Sequence, residues 1–292
     1  MCGVSIGQGI CTDLPGSYEC TCYSPYSGLH CENYTPSRYC ADLQLFHGIT
    51  ENGTYSISID ANYVSNLTDA DLMWIEVFCD MESAGGGWTL MSHGNSSGGK
   101  TFNDYVNGFG DLSTLDVWLG LENLHSMTTT MPTSLRIVIE QCATDMYEEE
   151  IEECTYPHFS VSDHKSQYSV FINSTCNSSS EFQRRGDPWI SWNPAKIGPK
   201  FSTFDKKNEY NCSSKFFNTG WWFNKNGNNF CGNANLNGLR FICGHSVGQD
   251  MYLTWDRRPV GDAFMYLRPY EYPLYDNHHN DPTVRMLLLN QQ

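Results

Sequence analysis

The sequence has no long hydrophobic run, little positive charge and no paired C-x-x-C spacing. A bilayer-spanning helix needs roughly 18–20 consecutive apolar residues, so no membrane span is expected. Only 17 Lys and Arg stand against 33 Asp and Glu, a formal net charge of −16. That balance repels phosphate backbones and other polyanions, which excludes nucleic acid as the main partner. Without paired C-x-x-C spacings the cysteines do not read as a zinc site. No internal repeat is present, and no strand–helix alternation of a parallel sheet. Nor does an apolar leader open the chain: Met1-Cys2-Gly3 runs straight into polar, glycine-rich sequence.

What is present points to a covalently stapled globular protein. The 292 residues suffice for one large domain or two smaller ones with a real core. Eight Trp, 17 Tyr and 15 Phe exclude a largely disordered chain. Thirteen cysteines accompany seven N-x-S/T sequons, at Asn33, Asn52, Asn66, Asn95, Asn173, Asn177 and Asn211. Together they predict a secreted, extracellular, disulfide-bonded glycoprotein. An odd cysteine and no leader also predict further sequence upstream of Met1.

The texture changes along the chain. Residues 1–32 hold five cysteines, many Gly and Ser and little aliphatic material, so they need covalent staples to fold. Residues 33–38 read as a linker, 39–270 as the main domain and 271–292 as a tail. Leu135, Ile137 and Ile139 alternate on one face of a predicted strand, as do Tyr168, Val170 and Ile172. Apolar residues at helical spacing predict a short helix over Trp118–Met127. Between Asn173 and Gly248 the chain is rich in Asn, Gly, Ser and Pro, the texture of long, binding-competent loops.

In the first segment the spacing is Cys11-x8-Cys20-x-Cys22-x8-Cys31, with Gly28 three residues before the last cysteine. It resembles the C-terminal part of an epidermal growth factor-like (EGF-like) domain. The resemblance implies the disulfides Cys2–Cys20 and Cys22–Cys31 and leaves Cys11 without a partner. The run from Cys11 through Asp13 and Tyr18 to Cys22 also resembles the hydroxylation consensus of calcium-binding members. Their calcium ligands mostly precede the first cysteine of the domain, so the fragment is expected to act as a spacer.

The main domain carries an ordered series of strings. They are Tyr39-Cys40-Ala-Asp42, Val77-Phe-Cys79-Asp, Gly85-Gly-Gly-Trp88-Thr and Val117-Trp-Leu-Gly-Leu-Glu-Asn-Leu-His125. Then come Phe201-Ser-Thr-Phe-Asp205, Asn211-Cys212, Gly220-Trp-Trp-Phe223, Asn235-Leu-Asn-Gly238 and Met265-Tyr-Leu-Arg-Pro269. In this order they resemble a fibrinogen C-terminal-like (fibrinogen-related) domain. The resemblance implies an α+β fold, with a twisted antiparallel sheet and a loop-rich C-terminal subdomain. It also implies the disulfides Cys40–Cys79 and Cys212–Cys231. Cys142, Cys154, Cys176 and Cys243 then allow three pairings. Cys142–Cys154, closing a hairpin with the acidic tip Asp145–Glu153, is preferred, which leaves Cys176–Cys243.

Members resembling ficolins and tachylectins bind acetylated sugars beside a calcium ion. The resemblance places the ligand site of this chain at Trp222, Phe223, Phe230, Cys231, Asn235, Asn237 and Arg240, the aromatics as a cup and the polar groups as donors. Core packing is the commoner role for such tryptophans. Calcium would fall to Asp205, Asn208 and Glu209. The family's calcium loop is shortened here, Lys207 stands where its first carboxylate belongs, and Cys231 is followed by Gly232 instead of His. The resemblance thus implies a non-enzymatic recognition protein. The main expectation is a carbohydrate-binding lectin of innate-immune type. The alternative is a protein-binding ligand or matrix component, as in angiopoietin- and tenascin-like members. Partners would be glycans or cell-surface and matrix proteins, with avidity from oligomerisation through upstream sequence. The loop from Asn173 to Lys200, with Arg184, Arg185, Trp189 and Trp192, has interface-type residues.

Two motifs are set aside. Gly244-His-Ser246-Val-Gly248 matches the G-x-S-x-G nucleophile elbow, followed by Asp276 and His278, but no βα units precede it. The Asp276–Asp281 cluster has metal-capable groups, yet adjacent His residues in a polar tail are usually solvated.

Overall fold

The computed structural model describes residues 9–22, 26–27, 29–31, 33–34, 36–59, 73–94, 98–143, 150–172, 176–178, 198–224, 230–240, 243, 253–255 and 258–273. The Ser246 elbow, the Asp276–Asp281 cluster, Asn66, Asn95, Asn173 and the tryptophans at 189 and 192 lie outside them. No helix among the described residues is long and apolar enough to cross a membrane. Two compact units divide the chain: Met1–Thr89 with Glu271–Gln292, and Leu90–Tyr270.

In the first unit, β1 (Gly9–Leu14) and β2 (Ser17–Cys22) form an antiparallel hairpin. Its tip is Pro15-Gly16, and Gly16 takes φ 80°, a left-handed angle that glycine adopts without steric cost. Cys11 stands opposite Cys20 in this hairpin and is an exposed free thiol. Cys20 and Cys31 are both disulfide-bonded. Cys2 and the Cys22 side chain fall outside the described residues, and with them the expected pairs of this segment. Strands β3 (Tyr26–Ser27) and β4 (Asn33–Tyr34) pair beyond the hairpin.

Helix α1 (Cys40–His47) begins where Asp42 Oδ2 accepts the backbone N–H groups of Arg38 and Tyr39, at 2.6 and 3.1 Å. The Tyr39 amide belongs to the cap residue, which a helix start leaves without an intrahelical partner. Cys40 is joined to Cys79, as the resemblance implied, and β5 (Gly53–Ser58) pairs with β6 (Trp74–Asp80). Three glycines before Trp88 all take positive φ. A Cβ on Gly86 would lie 2.2 Å from the Met81 carbonyl oxygen, so only glycine fits that turn.

β7 (Trp88–His93) runs from the first unit into the second. The second unit continues with α2 (Phe102–Asn107), β8 (Phe109–Asp111), β9 (Asp116–Trp118) and α3 (Leu121–Thr130). It goes on through β10 (Thr133–Gln141), β11 (Glu150–Tyr156), β12 (Phe159–Val161), β13 (Val170–Ile172) and β14 (Asn177–Ser178). The short helix α4 (Cys212–Lys215), β15 (Ala234–Asn235), β16 (Thr254–Trp255) and β17 (Arg258–Pro269) complete it. In the sheet β17 lies between β10 and β7, with β11 and then β14 beyond β10. The pairs β10–β11, β10–β17 and β11–β14 are antiparallel, as expected for this fold class. Leu135, Ile137 and Ile139 of β10 are fully buried, the face their alternation predicted.

Two elements differ from expectation. Tyr168 takes φ 47°, outside the extended range, so the strand starts only at Val170. Gly120 takes φ 100° and ends β9, so the helix starts at Leu121 and runs to Thr130.

The preferred cysteine pairing is corrected. Cys142 bonds to Cys243, and Cys154 to Cys176. The β10–β11 register is the reason. Cys154 faces Ile137, while Cys142 lies past Gln141 at the other end of the hairpin. Five strand residues at about 3.3 Å each separate the two positions, well beyond the roughly 7 Å limit between bridged Cα atoms.

Candidate functional site

The interior of the second unit is organised by the tandem tryptophans. Trp222 is fully buried and donates its indole N–H to the Tyr168 carbonyl at 2.7 Å. Its ring meets Phe201 edge-on at 4.9 Å and lies 6.0 Å from Trp118. Trp118 in turn donates to the Tyr105 carbonyl at 2.8 Å. Gly220 permits this close assembly: its N–H donates to the Tyr105 hydroxyl at 2.7 Å, and an added Cβ would meet the Tyr105 ring at 2.6 Å. Tyr168 also donates its hydroxyl proton to Glu122, and burial, first, with that bond raises its pKa.

The residues expected to grip a sugar are mostly turned inward. Asn235 and Asn237 are buried, and their amides donate to Thr219 Oγ1 at 3.1 Å and to the Gly220 carbonyl at 2.9 Å. The Asn237 carbonyl oxygen accepts from Ser92 Oγ at 3.2 Å. Both asparagines thus hold the chain around the tandem tryptophans. Phe223 is buried and stacks on Phe216 at 5.4 Å, and Cys231 is buried in its bond to Cys212. Arg240 is exposed, but its guanidinium is held by Asp262, with Nε 3.0 Å from Oδ1. Of the seven expected ligand residues, Phe230 alone combines exposure with an apolar ring, at 46%.

Two of the three expected calcium ligands, Asp205 and Asn208, have other partners. Both oxygens of Asp205 accept the N–H of Phe102, at 2.9 and 3.2 Å, and Oδ1 also accepts from Thr203 Oγ1 at 2.6 Å. Asn208 Oδ1 accepts the N–H of Cys212 at 2.9 Å. Lys206 places its ammonium over the Phe102 ring at 4.0 Å, adding positive charge to the same corner. A calcium cage needs six or more free oxygens converging from a loop, and this donor set does not fit one. Among the described residues no group of three or more His, Cys, Asp and Glu is arranged to hold a metal.

Beside the Cys212–Cys231 bond the exposed ring of Phe230 meets the half-buried ring of Tyr210. Tyr210 stacks on Phe230 at 4.7 Å with 30° between the rings. Phe217 is 50% exposed at the end of the turn that follows α4, with φ 56°. Tyr210 and Phe217 escaped the sequence reading. Their signal was Tyr210 and the adjacent pair Phe216-Phe217 on either side of Asn211-Cys212, in a segment otherwise short of apolar residues.

A second cluster was also missed. His93 Nδ1 lies 2.5 Å from the Leu115 carbonyl, and its Nε2 is 3.0 Å from both Arg240 Nη2 and Asp262 Oδ1. The ring stacks on Phe264 at 3.8 Å. Burial is the main cause that lowers its pKa below the ordinary value, and the Arg240 charge adds to it. As the neutral ring, His93 donates from Nδ1 to Leu115 and accepts from Arg240 at Nε2.

Comparison with known proteins agrees with this fold. The family model described as fibrinogen beta and gamma chains, C-terminal globular domain, matches residues 37–270. Mouse angiopoietin-4 is 32% identical over 208 residues, covering 69% of this chain and 35% of its own length. Bovine fibrinogen-like protein 1 is 33% identical over 189 residues, covering 61% of this chain and 56% of its own length. The chain therefore spans about a third to a half of the length of these relatives. Among solved structures, the fibrinogen-like globe domain of human ANGPTL6 superposes with a TM-score of 0.62 at 22% identity, covering 80% of this chain and 96% of that one. A lamprey fibrin D-dimer in complex with the peptide ligand Gly-His-Arg-Pro-amide gives 0.61 at 22% identity, covering 82% and 75%.

Proposed function

Since the chain belongs to the fibrinogen C-terminal globular domain family, we propose that it is an extracellular protein-recognition module, not a sugar-binding lectin. One observation carries this reading: most of the residues expected to line a sugar pocket are spent inside the fold, while Phe230 is left exposed and stacks on the half-buried Tyr210. An acetyl group needs a small cup with a free donor. The asparagine amides that would donate are already donating within the protein. A stacked aromatic pair suits an apolar or guanidinium-bearing side chain of a protein partner. Two further facts support it. The relatives are angiopoietins and fibrinogen-like proteins, and one solved neighbour was captured with a peptide ligand.

The four disulfides whose two cysteines are both described suit an oxidising, extracellular setting. Residues 1–32 act as an EGF-like spacer, for which the β1–β2 hairpin and the bonded Cys20 and Cys31 are the support. Oligomerisation raises the avidity of a weak single face.

The test presents the full chain, clustered on a multivalent carrier, to an array of glycans and an array of extracellular protein domains. The expected result is silence on acetylated glycans and a protein hit that Phe230→Ser weakens at least tenfold. A glycan hit that survives Phe230→Ser would overturn the proposal.

A further inference from the structure

The sequon Asn211-Cys212-Ser213 borders the aromatic face, and the folded chain withholds part of it. Asn211 is exposed, takes φ 54°, and its Oδ1 accepts from Ser214 Oγ at 3.0 Å. Cys212 is fully buried and bonded to Cys231. Ser213, whose hydroxyl completes the sequon, is 1% exposed, and that hydroxyl has no hydrogen-bond partner among the described residues. The backbone is engaged as well: Asn211 N donates to the Asn208 carbonyl at 3.1 Å, and Asn218 N to the Ser213 carbonyl at 2.9 Å. An enzyme that must read asparagine and hydroxyl together cannot do so on the closed fold.

Asn52 offers the contrast. Its sequon is Asn52-Gly53-Thr54, and Asn52 and Thr54 are both exposed on the folded unit. The Asn52 amide donates one proton to Glu82 at 3.1 Å, and its oxygen accepts from Met81 N at 2.6 Å. Attachment at nitrogen replaces one of two protons, so the oxygen contact survives.

We infer that Asn211 is an N-glycosylation site open only until the Cys212–Cys231 disulfide closes, and that its glycan screens the Tyr210–Phe230 face. In the transfer the Asn211 amide nitrogen bonds to the anomeric carbon of a lipid diphosphate-linked oligosaccharide. The carbon–oxygen bond to phosphate breaks, the lipid diphosphate leaves and the nitrogen gives up one proton. Disulfide closure and glycan transfer then compete for the same segment. The chain emerges in two forms, one with the face open and one with it covered. The consequence for binding rests on the protein-recognition reading; occupancy and screening do not, and they are measured with no partner present.

The test is glycopeptide mapping of the full chain made in a eukaryotic secretory system, with and without a pulse of reductant during synthesis. Asn211 should be partly occupied in untreated cells and rise at least twofold with reductant, while Asn52 stays level. Separated glycoforms are then footprinted by hydroxyl radicals. Phe230 and Tyr210 should be oxidised several-fold less in the Asn211 glycoform than in the Asn211→Gln variant. Full occupancy of Asn211 without reductant, or none in either condition, overturns the ordering of events. Equal oxidation of Phe230 in both forms overturns the screening. Phe217 oxidation, compared between the unoccupied parent form and Asn211→Gln, reports whether the substitution has disturbed the local fold.

Discussion

Replacing Trp222 with Phe keeps an aromatic ring and removes one donor. The Tyr168 carbonyl then loses the indole N–H that reaches it at 2.7 Å. An unsatisfied buried acceptor costs about 1–3 kcal/mol, so the urea midpoint of Trp222→Phe should drop by that equivalent. His93 makes a prediction in pH. Burial lowers its folded pKa below the ordinary 6.5, so the unfolded chain binds a proton first as pH falls. Stability should therefore decline on acidification from about pH 6.5, until the folded pKa is passed. His47 and His158 are lowered too and shift stability the same way. The informative quantity is the difference from His93→Gln, whose urea midpoint should fall less between pH 7 and 5. Asp104, Asp111 and Asp163 act in another window. Hydrogen bonds lower their pKa values, so their contribution is present at neutral pH and is lost only below about 3.8. Asp205→Ala should cost about 1 kcal/mol through the Phe102 amide it serves, and adding calcium should leave the melting temperature of the parent chain unchanged.

At the scale of elements, the disulfides give the sharpest outcomes. Peptide mapping of the unreduced chain should recover Cys142 with Cys243 and Cys154 with Cys176. Removing the first bond by Cys142→Ser with Cys243→Ser opens a loop of 101 residues and should cost about 4–5 kcal/mol on the chain-entropy view. The same elements show what the sequence could tell. The alternation of Leu135, Ile137 and Ile139 is local, so β10 was legible. So were the glycine run before Trp88 and the bulk of Trp222, because glycine and indole each suit few environments. The Cys142 pairing was not legible, since it depends on the β10–β11 register and on a cysteine 101 residues away. The roles of Asn235 and Asn237 were hidden for a like reason. An asparagine amide serves a ligand or a backbone equally well, and only the fold brings Thr219 and Gly220 within reach.

Over the whole molecule the charge and the aromatic face act together. A net charge of −16 disfavours polyanionic partners at every approach. A protein partner with an apolar or cationic side chain meets no such barrier at Tyr210 and Phe230. The central claim is that this face recognises protein. Its most direct measurement is the binding of the clustered full chain to cells, in calcium, in EDTA, with excess free N-acetylglucosamine, and after surface proteolysis. Binding that ignores EDTA and the sugar, disappears after proteolysis and is lost in Phe230→Ser is the predicted result. Binding that the free sugar or EDTA abolishes, and that proteolysis spares, would contradict it.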